Sequence, residues 1–197
     1  MTSSRLNADF LTVAQLEKYG IKNAAERQIL IHSTAVIVDF NRIRFGRNIR
    51  IDPYVVLSCA DLRFGNNIHV ATGVGIFGAA PVHLGDFVGL SARSLIYSSS
   101  DDYSGHALTG PTIPAAYTNV TSSPVSIGRH GILGAGSVVL PGSILHEGAA
   151  TGVGTLVKGE LPPWTISVGT PARVIRQRLQ GCLDLEARFL AEMGPPA

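Results

Sequence analysis

Residues 127–157 read IGRHGILGAGSVVLPGSILHEGAATGVGTLV, and a single spacing runs through them. An anchor stands at every sixth position, aliphatic at Ile127, Leu133, Val139, Leu145 and Val157, with Thr151 the one polar member. Glycine follows in Ile127-Gly128, Leu133-Gly134 and Thr151-Gly152, and four positions after each anchor comes a small residue: Gly131, Ser137, Ser143, Ala149, Thr155. The same phase appears upstream as Phe45-Ile51-Leu57, Phe64-Val70-Ile76 and Leu84-Leu90-Ile96. An α-helix repeats every 3.6 residues and a simple strand every two, so neither accounts for this period. Six residues make one short side and three sides close a triangular coil, which predicts an all-β, parallel β-helix. The anchor points inward, the small residue fits the crowded corner, and glycine takes backbone angles closed to other residues. Stacked at roughly 4.8 Å, about five coils span residues 30–168.

Composition agrees with that reading. The chain has 197 residues, 45% hydrophobic, 15% charged and 7% aromatic, with 22 glycines. A charged share well under the usual ~25%, and glycine above the usual ~7%, suit small aliphatic cores joined by tight turns. With 16 Lys+Arg against 14 Asp+Glu, the net charge of +2 is too small to advertise nucleic acid or acidic lipid as a partner. No apolar run approaches the ~18 residues of a membrane span, and Met1–Phe10 carries no apolar signal core. Cys59 and Cys182 form no CxxC, which makes a reducing cytoplasm the expected setting.

An open stack needs cover at both ends. Thr12-Val13-Ala14-Gln15 has the form of a capping box opening a short helix that ends at Lys18-Tyr19-Gly20. Leu161-Pro162-Pro163-Trp164 breaks the period, and Cys182 to Met193 reads as a second short amphipathic helix. One domain over 1–197 is expected: a helical cap at 1–29, the repeats at 30–168 and a C-terminal tail at 169–197. Trp164 is assigned to packing under the cap rather than against an adenine.

The hexads stop once. Between Ile96 and Val125 lie 28 residues, YSSSDDYSGHALTGPTIPAAYTNVTSSP. A long loop thrown from a rigid scaffold is where function concentrates. This one, 97–124, holds Asp101, Asp102, Tyr103, Ser104 and His106, groups suited to binding and proton transfer.

Regular hexads, the loop, Leu133-Gly134-Ala135-Gly136-Ser137-Val138-Val139 and Val168-Gly169-Thr170-Pro171-Ala172-Arg173-Val174-Ile175 together resemble the hexapeptide-repeat acyltransferases, over nearly the whole chain. The likeness is nearest to the galactoside and lipopolysaccharide-type O-acetyltransferases. It implies a left-handed β-helix, a homotrimer with each active site shared by two subunits, acetyl-CoA as acyl donor and no metal. It also implies a sugar or nucleotide-sugar acceptor, and SSSDDYSG looks like the branch found in surface-polysaccharide synthesis. Aligned without gaps, the family's loop histidine falls on Ser104, and two positions of slack bring it to His106. The polar residues that hold the sugar in galactoside enzymes fall on Ala71 and Ala79, which argues against simple galactoside chemistry.

Acyl transfer from a thioester to a hydroxyl needs a base near the acceptor and a donor for the oxyanion. Imidazole titrates near working pH, so His106 is the first candidate base, with Asp102 or Asp101 orienting its ring. Asp102 or His83 comes next. Against these stand an exposed loop histidine and aspartates that merely form turns. His83, Tyr103 and Ser104 are the candidate acceptor contacts. Gly136 and Gly154 allow close approach of pantetheine with amides free for the thioester oxygen, or serve corner geometry alone. Lys158, Arg173 and Arg176 are candidates for the CoA phosphates, against a solvated terminal face. His32, His69 and His146 are expected in solvated or structural places, His130 has a lesser claim on the site, and Cys59 reads as a packed thiol.

Other chemistries fit less well. N-acetylation of a nucleotide-linked amino sugar is the near alternative, because an amine needs a base less. Zinc-dependent hydration of carbon dioxide needs three histidine ligands, yet successive histidines stand 37, 14, 23, 24 and 16 apart with no close pair. A non-catalytic scaffold predicts coils without an acidic, histidine-bearing loop or a basic tail.

Overall fold

The computed structural model describes residues 9–193. Short strands stack into three parallel sheets, one for each side of a prism. The first face holds Ile29–Ile31, Ile49–Ile51, Ile68–Val70, Gly89–Leu90, Ile132–Leu133, Ala150–Thr151 and Thr165–Val168. The second holds Val36–Ile37, Val56–Cys59, Gly75–Gly78, Leu95–Tyr97, Val138–Val139 and Leu156–Val157. The third holds Ile43–Arg44, Leu62–Phe64, Val82–Leu84, Val125–Ile127, Ile144–Leu145 and Glu160–Leu161. The β-helix is therefore as expected, but the first face has seven parallel rungs, not five. Ile29 pairs with Ile49 and Ile49 with Ile68, so early coils advance by 20 and 19 residues, against 18 between Ile132 and Ala150. Extra residues at the corners between the second and third faces, as from Leu57 to Phe64 and from Ile76 to Leu84, break the hexad phase, and counting in sixes passes over coils.

Hexad anchors fill the prism: Ile51, Val70, Ile76, Ile96, Leu133, Val139 and Val157 are buried, and only Phe45 among those quoted is partly open. Each such aliphatic burial contributes roughly 1.5–3 kcal/mol.

One corner follows a rule the hexads do not spell out. Gln28, Asn48, Asn67, Phe87, His130, Gly148 and Trp164, each leading into a first-face coil, all take left-handed backbone with φ between 51° and 69°. Asparagine tolerates this conformation, and Asn48 Nδ2 donates to Asn67 Oδ1 at 2.8 Å. Further along, Phe87 stacks on His130 at 5.1 Å, and Trp164 lies 5.9 Å from the same imidazole. Gly148 makes that possible, since a Cβ there would collide with the indole.

Both caps form. The helix α1, Val13–Lys18, opens on the Thr12–Gln15 capping box and buries Leu16. At the other end Arg173–Gln177 folds back antiparallel on Thr165–Val168, and the helix α2, Cys182–Met193, follows. Trp164 packs under this tail as expected: Arg178 lies over its ring and donates to the carbonyls of His130 and Gly148 at 2.6 and 2.8 Å. From α2, Phe189 meets Phe87 edge-on, and buried Glu186 accepts from His130 Nε2 at 2.8 Å and from Arg129. His130 is thus a structural residue. No described helix is long and apolar enough to cross a membrane.

Burial pushes the Glu186 carboxyl up, but bonds from Arg129 and His130 outweigh it and hold it below its ordinary 4.5. A depressed carboxyl stabilises the fold above its unfolded value and loses that contribution as pH falls through the folded one. Glu186→Gln should therefore lower stability at neutral pH, on the order of 3 kcal/mol for an emptied buried pair. Fluorescence of Trp164 beside the clamp should change below about pH 4.5 in the wild type. The same change persisting in the variant would remove Glu186 as its cause.

Candidate functional site

The loop leaves the second face after Tyr97 and is pinned at its root. Ser99–Ser100 pairs antiparallel with Thr121–Ser122, the Ser99 and Ser122 hydroxyls meet at 2.8 Å, and the Ala79 amide donates to Ser99 Oγ at 2.8 Å. Ser98 Oγ, buried in the prism, donates to the Ala80 carbonyl at 2.7 Å. Farther out a 3₁₀ turn, Ala115–Tyr117, closes an open cavity of about 500 Å³ that His106 lines with Leu108, Tyr117 and Thr118.

Asp102 does not orient that histidine. Its Oδ1 accepts the Ser104 amide at 2.9 Å, and its Oδ2 accepts the Ser104 hydroxyl at 2.9 Å and the Ala107 amide at 3.2 Å. These bonds, the Ser104 amide first, hold its carboxyl below the ordinary 3.8. Ser104 in turn receives the His106 amide at 3.3 Å, so both residues shape the loop. Asp101 is exposed and gives one oxygen, Oδ1, to the Gly110 amide at 3.3 Å. Tyr103 is 92% exposed. His83 points outward from the third face, in register between Arg63 and Ser126.

The glycine corner differs from expectation in one respect. Gly136 and Gly154 have open space where a Cβ would stand, as a groove requires, at φ of 68° and 66°. Their amides, however, are not free for a thioester oxygen: they donate to the carbonyls of Ala92 and Ala135 at 3.0 and 2.9 Å. Stacking coils consumes these donors. Arg173 and Arg176 lie on the returning strand, which meets this end of the stack where the Ala172 amide donates to the Leu156 carbonyl at 2.8 Å, and Lys158 lies two residues past Leu156.

A second cavity, about 620 Å³, opens between the second and third faces beside the loop root, with Arg42, Ser58, Cys59, Phe77 and Ala79 on its walls. The hexads gave no hint of it. Nor did they single out His69, whose Nε2 sits 2.8 Å from Asp52 Oδ2 on the first-face corner. The two are 17 residues apart, about one coil, and that interval was the available signal. Burial opposes the Asp52 charge, but bonds from His69 and Arg50 prevail and hold its carboxyl low. His32 is buried against Thr34, and His146 meets Glu160 at 3.1 Å.

Comparison with known proteins bears on these arrangements. No protein-family model matches the chain. It is 38% identical to the dTDP-4-amino-4,6-dideoxy-D-glucose acyltransferase of Escherichia coli over 182 residues, 91% of this chain and 94% of that one. The chain belongs to the hexapeptide-repeat acyltransferases. Crystalline AntD, an N-acyltransferase from Bacillus cereus in complex with dTDP and 3-hydroxybutyryl-CoA, superposes with a TM-score of 0.88 at 36% identity, over 95% of this chain and 99% of that chain. Galactoside O-acetyltransferase of Escherichia coli is 27% identical over 67% of this chain and 62% of its own length. The acyltransferase fold is thus the left-handed β-helix that the family resemblance implied.

In this acyltransferase Asp102 is expected to hold the loop rather than move protons. Asp102→Ala should speed hydrogen exchange at the Ser104 and Ala107 amides while the anchors at Ile96 and Val125 stay protected. Unchanged exchange at those two amides would count against the assignment.

Proposed function

We propose that this acyltransferase moves an acyl group from a CoA thioester to the amino group of a nucleotide-linked amino sugar. Identity of 38% across nearly all of both chains to an amino-sugar acyltransferase carries the reading. The weaker, partial likeness to the galactoside enzyme, with Ala71 and Ala79 where that chemistry needs polar groups, favours N-transfer over O-transfer. The neutral amine attacks the thioester carbonyl, a tetrahedral oxyanion forms, and the C–S bond breaks. The amine nitrogen gives up a proton and the departing thiolate gains one, leaving an amide and free CoA. An amine that arrives as ammonium must lose a proton first, so an acceptor for that proton helps.

AntD has been crystallised with an aspartate or a serine replaced, the two lying ten residues apart. Among the aspartates of the present sequence, Asp101 alone has a serine ten residues before it, Ser91. This spacing, and the exposed second oxygen of Asp101, support Asp101 as proton acceptor and Ser91 as its companion. His106 is the next candidate on the loop. We assign the CoA phosphates to Lys158, Arg173 and Arg176, with pantetheine running past Gly136 and Gly154. Free Cys59 and Cys182 suit the reducing cytoplasm we assign to the enzyme.

The second face supports a homotrimer with shared sites. Its outward row reads Val36, Val56, Gly75, Leu95, Val138, Leu156, partners in unbroken register. The third face instead presents Arg44, Arg63, His83, Ser126, Ile144 and Glu160. An apolar row on the outside of a prism supports burial between copies. Ser91 precedes this face and Asp101 follows it, so three-fold closure would set the Ser91 edge of one copy against the loop of the next.

Thiol release from acetyl-CoA and 3-hydroxybutyryl-CoA over a panel of acceptors tests the reaction. Turnover is expected with dTDP-amino sugars and not with galactosides; the reverse would restore O-transfer. Asp101→Asn should lower turnover by about 10²–10⁴ while CoA affinity holds, whereas His106→Ala should have the smaller effect. Light scattering should find a trimer that Leu95→Asp reduces to the 20.8 kDa monomer. A wild-type monomer would overturn the shared site.

A further inference from the structure

The returning strand Arg173–Gln177 crosses the end of the first face, and its register decides where its side chains point. Along Thr165–Val168, Thr165 and Ser167 are buried while Ile166 and Val168 are only partly covered, so Ile166 and Val168 face outward. Ile166 pairs with Arg176, and Val168 pairs with Arg173. On a regular strand, residues three apart point to opposite sides. Here the register shifts between Ile166 and Ser167: Ser167 pairs with Val174, which leaves Ile175 as the extra residue. That bulge puts Arg173 and Arg176 on the same outward side.

The strand has little burial of its own. All five of its residues are exposed, so it depends on one antiparallel pairing and on its two ends. At the first end the Ala172 amide donates to the Leu156 carbonyl, close to the Gly154 corner. The second end lies four residues on, roughly 13 Å away, at the corner of Trp164. There the Arg178 amide donates to the Trp164 carbonyl at 2.7 Å. Arg178 Nη1 donates to the carbonyls of His130 and Gly148, 18 residues apart, so one guanidinium joins two successive coils. The group also lies over the Trp164 ring, and Glu186 of α2 holds the His130 imidazole from the other side. With Nη1 committed to two carbonyls, Arg178 is built as an anchor.

We infer that Arg178 is a positioning residue for acyl-CoA: it fixes the far end of the returning strand to two coils and so keeps the bulged register that turns Arg176 to the same side as Arg173. The inference rests on the assignment of Arg173 and Arg176 to the CoA phosphates and adds what holds them in place. A strand freed at that end must be ordered again each time the cofactor binds, which weakens binding. Chemistry at the thioester is remote from this corner, so the loss falls on KM for acyl-CoA and leaves kcat alone.

The test is steady-state kinetics with acyl-CoA varied at saturating acceptor, alongside hydrogen exchange at the amides of residues 174–177. Arg178→Ala should raise KM for acyl-CoA by about tenfold, keep kcat and the KM of the acceptor, and speed exchange in the strand. Arg178→Lys, which keeps a cationic donor near the two carbonyls, should recover part of the loss. Because Arg178 acts through Arg176, Arg178→Ala should add little once Arg176→Ala is in place. Full additivity of the two would make Arg178 a separate CoA ligand and overturn the inference. An unchanged KM in Arg178→Ala, or kcat falling in step with KM, would overturn it too. Should the alanine variant fail to fold, Arg178→Gln gives the same comparison with a shorter, neutral donor. If Arg173→Ala and Arg176→Ala themselves leave KM for acyl-CoA unchanged, the phosphate assignment falls and the anchor's role falls with it; if they raise it and the Arg178 variants do not, the assignment stands alone.

Discussion

Each coil lends its backbone to the next, and that constraint governs everything else in this protein. A strand of two or three residues has no stability alone, so its amides and carbonyls must find partners one rung away. The ladder reaches into the corners, where Gly136 and Gly154 give their amides to Ala92 and Ala135. The main chain of the prism is consequently spent on the prism. Chemistry has to come from side chains that point outward and from the one segment that leaves the stack.

The same constraint explains what the sequence makes readable. Six-residue spacing of buried anchors is forced by the triangular section, so the face pattern, the inward residues and the loop could all be read before any coordinates. Capping at Thr12–Gln15 and the amphipathic run from Cys182 were readable for local reasons. Coil number was not, because the corners between the second and third faces, after Leu57 and Ile76, add residues without changing which anchors face inward. The column of left-handed corners was also hidden, since Gln28, Asn48, Phe87 and Gly148 share a backbone conformation but no chemistry.

The candidate site was legible as a region and less so as geometry. Its acidic loop stood out, yet Asp102 spends its carboxylate on Ser104 and Ala107, a short-range preference of aspartate in turns that no repeat pattern reports. Asp52 and His69 meet because they sit one coil apart, which becomes visible only when residues are laid out on the stack. The second cavity depends on Ser58 and Ala79 being small, and small residues draw no attention when chemistry is sought. Glu186, deep in the cap, joins α2 to Arg129 and His130 across 57 and 56 residues, beyond the reach of any local rule.

The loop root has a different kind of consequence. Tyr97 ends one strand of the second face, and Val125 begins the next strand of the third face in register with Val82, as though nothing intervened. With the Ser99–Ser122 rung closing its neck, the excursion is topologically silent: the prism registers neither its length nor its contents. Doubling such a loop adds only about 0.6 kcal/mol of closure entropy. A scaffold of this kind can exchange one loop for another while its core stays fixed, so substrate choice can diverge quickly on a frame that hardly changes.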